Sequence, residues 1–93
     1  MRKHEYMINY WMRGNSDGTT CLFRTTSKRQ WIEKIKECCR DFPIQNRYCK
    51  TIVWDDVTIF SFATGVGVNS WVDSVLLRRP LQVVYGLPKE VKE

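Results

Sequence analysis

Residues 27–43 read Ser-Lys-Arg-Gln-Trp-Ile-Glu-Lys-Ile-Lys-Glu-Cys-Cys-Arg-Asp-Phe-Pro, and this stretch decides the fold. Ser27 followed by Gln30 matches a capping box, in which each side chain satisfies a backbone N–H that the first helical turn leaves free. On a helical wheel Trp31, Ile32, Ile35, Cys38, Cys39 and Phe42 fall within a stripe roughly 120° wide. Pro43 ends the run, because the residue before a proline is disfavoured in the helical region. The spacing therefore predicts one amphipathic helix with a single face to bury.

A helix of this kind needs a second layer, and the flanking sequence predicts strands on both sides. Before it, Tyr6 to Met12 is rich in aromatic residues and places Tyr6, Ile8, Tyr10 and Met12 on one strand face. Gly14-Asn15-Ser16-Asp17-Gly18 is a dense turn cluster, and Thr19 to Thr26 returns as a second strand. After the helix, Tyr48–Trp54 and Val57–Ala63 form a second hairpin around a two-residue Asp55-Asp56 turn. Gly65–Val68 reads as a loop. Asn69 or Ser70 then caps a short helix through Arg79, with Asp73 completing a box from Ser70 and Pro80 ending it. Leu81–Tyr85 is a last strand, and residues 87–93 are a charged tail expected to fray. The expected architecture is a single α+β two-layer domain over residues 1–93, in the order β-β-α-β-β-α-β. About five mainly antiparallel strands would carry two helices on one face.

The 93 residues are 43% hydrophobic and 27% charged, with 12 aromatic rings, so disorder and low complexity are excluded. No run approaches the ~20 apolar residues that span a bilayer, so no membrane association is expected. Glu5 and Asn9 interrupt the apolar core of a signal peptide, and a cytoplasmic location follows as the expectation. The four cysteines include the adjacent pair Cys38-Cys39, whose mutual disulfide would be strained; reduced thiols are expected. Neither they nor His4 show zinc-ligand spacing, so no metal is expected.

Catalytic constellations are absent from the pattern, and no enzyme activity or cofactor is expected. The only histidine, His4, sits near the N-terminus, so no Cys-His or Ser-His pairing has a well-held base. Asp55 and Asp56 are adjacent and point apart, as turn formers do. Gly65-x-Gly67 lacks the third glycine of a dinucleotide loop, since Ser70 stands there. Arg78-Arg79 suits the negative end of the second helix.

Charge is the informative quantity. Of 15 Lys+Arg and 10 Asp+Glu, residues 1–50 hold 11 and 5, a net +6, whereas residues 51–93 hold 4 and 5, a net −1. On the first helix Arg29, Lys36 and Arg40 share one flank, while Glu33, Glu37 and Asp41 occupy the neighbouring strip. Like charges at i,i+4 gain the helix nothing, so the segregation points outward, to something acidic. Helices on one face only would leave strand aromatics on the other, and Trp11, beside Arg13, is the candidate exposed ring. The candidate partner-binding residues are thus Trp11, Arg13, Arg29, Lys36 and Arg40.

Together these features predict a small non-enzymatic binding protein that docks on a larger protein partner and modulates or inhibits it. The expected partner is a host protein, or a protein–nucleic-acid complex, with an acidic surface. In size and plainness the chain is similar to the accessory proteins of phages and mobile elements that act on host machinery. The alternative is a nucleic-acid-binding module that stacks bases on sheet aromatics and meets phosphate with the basic helix flank.

Overall fold

The computed structural model describes residues 3–11, 19–64 and 81–91. Its elements are β1 (Glu5–Trp11), β2 (Thr19–Thr25), α1 (Lys28–Asp41), β3 (Ile44–Val53), β4 (Val57–Thr64) and β5 (Gln82–Tyr85). The five strands form one sheet in the order β2-β1-β4-β3-β5. The expected turn at 14–18, the loop at 65–68 and the second helix through Arg79 lie outside the described residues.

α1 begins where the capping pattern places it. Ser27 Oγ accepts the Gln30 N–H at 3.2 Å, but the return half of the box is relayed. Ser27 N–H donates to Thr25 Oγ1 at 3.1 Å, and the Thr25 hydroxyl donates to Gln30 Oε1 at 2.8 Å. The last residue of β2 thereby helps start the helix. Phe42 closes it with its N–H on Cys38 O at 2.8 Å.

The sheet is mixed: the expected antiparallel pairing holds for three of its four strand pairs, and the central pair departs from it. β1 pairs with β2, β4 with β3 and β3 with β5 in the antiparallel sense, but the central pair β1–β4 is parallel. The cause is the α1 crossover. It carries the chain from β2 past β1 and β4 to β3, so β2 and β3 run in the same direction. Their hairpin partners, β1 and β4, must then also run together. One helix, α1, is present among the described residues, packed over β1 and β2.

The central position of β4 shows in its burial. Thr58, Ile59, Phe60, Ser61, Phe62 and Ala63 are all buried in succession, the continuous run of a strand covered on both faces. On the α1 side the core joins Ile8, Phe60, Phe62 and Cys49 to Trp31, Ile35, Cys38 and Val91. Tyr6, Tyr10 and Phe23 pack against it. Trp31 Nε1–H also donates to Met7 O at 2.9 Å and ties helix to sheet. The opposite face of the central strands buries Asn9, Lys50, Ile52 and Ile59, so it is not the open aromatic platform expected from sequence.

Within the expected tail, Leu87 and Val91 pack against the core. Gly86, at φ +92, adopts the left-handed conformation that glycine tolerates and turns the chain back from β5 toward α1. Gly86 N–H donates to Cys49 O at 2.8 Å and Leu87 N–H to Asn46 Oδ1 at 3.1 Å. Val91 then enters the core at 8% exposure, and Glu90 pairs with Lys28 at 3.2 Å.

Candidate docking surface

The two edges of the sheet are built differently. β2 carries an irregularity opposite Ile8/Asn9, where Leu22 is the extra residue, and Arg24 pairs with Glu5 at 2.7 Å. A bulge and a charge are the usual devices that keep an edge from pairing with another chain. That ion pair also raises the Arg24 pKa above its ordinary value, chiefly through the hydrogen bond to Glu5.

β5 has neither device. Residues 81–87 read Leu-Gln-Val-Val-Tyr-Gly-Leu, with no charged side chain, and among the described residues the strand pairs with β3 alone. Three of its apolar side chains face water: Leu81 at 68% exposure, Val84 at 45% and Tyr85 at 70%. Lys50 is buried at 3% exposure with its ammonium 5.9 Å from the centre of the Tyr85 ring, so a cation lies under this exposed ring.

Because α1 covers β1 and β2, the same face of β3 to β5 is left as a groove of about 390 Å³. Tyr6, Trp31, Val53, Thr58 and Val84 line it, and Lys28, Lys89 and Glu90 stand along it. Tyr6 is held by its neighbours, with ring centres 5.3 Å from Trp31 and 4.9 Å from His4. His4 Nε2 in turn shares a 2.7 Å hydrogen bond with Thr58 Oγ1. A second groove, about 660 Å³, runs between α1 and the start of β3, lined by Lys36, Cys39, Arg40, Asn46 and Leu87. Glu90 borders both grooves. Its carboxyl lies below the ordinary carboxylate range, held there by its own backbone N–H and by Lys28.

The residues expected from sequence to bind a partner separate in this frame. Lys36 and Arg40 come together on the second groove. Arg29 does not join them; it is highly exposed and pairs with Glu33 at 3.5 Å, one turn along. The sign segregation on α1 is thus partly relieved, as Lys34 also pairs with Glu37 at 3.1 Å. Trp11 ends β1 with its backbone in register with Thr19 and Ala63, and Arg13 lies outside the described residues. Leu81, Val84 and Tyr85 were not candidates, although an uncharged β-branched and aromatic run bounded by Gly86 was the available signal.

None of the four cysteines is joined in a disulfide; Cys38 and Cys49 are buried, Cys39 is half-buried and Cys21 is exposed. Burial pushes the pKa of Cys38 and Cys39 up, so the thiol on the second groove is a poor nucleophile. Among the described residues no group of three or more His, Cys, Asp or Glu could hold a metal ion, and no helix is long and apolar enough to cross a membrane. Comparison with family models, curated proteins and solved structures finds no match, so the functional reading rests on the geometry of this chain.

Proposed function

We propose that this chain is a non-enzymatic binding module that docks on a larger protein through the β5 edge and the groove beside it, and modulates that protein. The observation that carries the reading is the exposure of Leu81, Val84 and Tyr85 at and beside an uncharged strand that, among the described residues, pairs with β3 alone. Clustered apolar side chains on an open edge gain most when another chain covers them. Lys36 and Arg40, one groove away, give the approach its preference for an acidic surface, as rim charges act on encounter more than on the bound state.

The nucleic-acid alternative has less to draw on. Base stacking needs a row of open rings, and among the described residues Tyr85 alone is exposed, whereas Phe60 and Phe62 are fully buried and Tyr6 and Tyr10 pack against the core under α1. The test is capture from nuclease-treated lysate of the native cell with wild type and with the Leu81→Ser/Tyr85→Ser variant. Both positions are exposed, so the variant is expected to fold normally. A protein held by wild type and lost by the variant is the expected result. A partner held equally by both, or nucleic acid alone in untreated lysate, refutes the reading.

A further inference from the structure

Resting on that reading, we infer that the occupant of the β5 edge is an extended segment of the partner that adds to the sheet as a sixth strand, with acidic residues flanking its apolar ones. The backbone carries the first half of the inference. Gly86 N–H donates to Cys49 O, which makes Cys49/Gly86 a hydrogen-bonded pair of the β3–β5 ladder. In an antiparallel ladder bonded and non-bonded pairs alternate, so Thr51/Val84 is bonded while Lys50/Tyr85 and Ile52/Val83 are not. The N–H and C=O groups of Val83 and Tyr85 therefore turn to the outer edge. They are what an added strand would use.

The side chains carry the second half. Gln82 and Val84 line the groove beside Trp31 and Val53, while Tyr85 lies on the other face, next to Lys50. An added strand thus finds an apolar contact on each face of the sheet, as alternating side chains require. Among the described residues, Lys28, Lys89, Lys36 and Arg40 stand along the two grooves against the one carboxylate of Glu90, which Lys28 already engages. An incoming segment with Asp or Glu beside its apolar residues complements that rim. A second copy of this chain does not, because each carries +5 and would bring the same cations together.

The experiment selects binders to the full-length protein from a phage-displayed library of random dodecapeptides and follows amide exchange in the complexes. Enriched peptides should alternate apolar residues and carry Asp or Glu. Their binding should slow exchange at the Val83 and Tyr85 amides at least about tenfold and leave Val84, already bonded to β3, unchanged. Val83→Pro removes only an outward donor, as edge positions tolerate, and should weaken binding at least about tenfold. Binders that leave both amides unprotected, binders rich in Lys or Arg, or a library that yields nothing would each overturn the inference. So would a dimer in sedimentation equilibrium that the Val83→Pro variant abolishes. If the lysate partner is lost with Leu81→Ser/Tyr85→Ser yet its binding leaves the two amides unprotected, docking at this edge stands and the added strand falls.

Discussion

Ile35 is fully buried at the centre of the helical stripe, and its loss leaves a hole that neither α1 nor β4 can close without moving backbone. Ile35→Ala should cost about 2–5 kcal/mol in denaturant unfolding. Gly86 is a different kind of position. Space for a Cβ exists, with Asn46 Oδ1 at 3.6 Å, but φ of +92 strains any other residue. Gly86→Ala should therefore cost about 1–2 kcal/mol by the same measurement. The thiols give a pH test with a defined sign. Burial raises the Cys39 pKa in the folded protein above its ordinary 9.0, so the unfolded chain loses this proton first. The stabilising difference is complete below that range and is lost as pH rises through the folded value. Alkaline melting of wild type should fall faster than that of Cys39→Ala, and alkylation of the native protein should reach exposed Cys21 first. Legibility at this scale follows periodicity. Trp31, Ile35 and Cys38 were readable because a helical wheel is local, whereas the packing of Val91 into a core drawn from residues 8–62 leaves no local trace.

Among the elements, α1 was legible from cap to proline, and the strands of both hairpins pair as expected, although β3 starts at Ile44 and not at Tyr48. The parallel β1–β4 pair was not legible. It depends on which strands of the two hairpins meet, a long-range choice made by the crossover and by burial of both faces of β4. Burial along β4 was not legible from alternation either, since the polar Thr58 and Ser61 point to opposite faces and both are buried in the sheet centre. The relay through Thr25 makes the helix start depend on β2. Thr25→Val should therefore destabilise the protein by about 1 kcal/mol, comparable with loss of the Ser27 cap itself, and a thermal melt that leaves both variants at the wild-type midpoint would remove the relay from the account.

For the whole molecule, the proposed docking site is the outer edge of β5, and the excess charge of the first half is proposed to steer encounter. The sequence pointed to the basic flank because charge segregation is visible in a wheel, while the exposure of Leu81 and Tyr85 depends on β5 being the last strand of the sheet. The measurement that separates the two is binding kinetics of the captured partner against three variants: Leu81→Ser/Tyr85→Ser, Lys36→Glu/Arg40→Glu and Trp11→Ala. The edge variant should speed dissociation about 30-fold, the loss of a hot spot worth about 2 kcal/mol. The charge reversal should slow association, most at low salt, with dissociation within about twofold of wild type, and Trp11→Ala should change neither rate by more than about twofold. If instead dissociation is unchanged in the edge variant and accelerates when Lys36 and Arg40 are reversed or Trp11 is truncated, the partner sits on the helix flank and first hairpin, and β5 is not the docking edge.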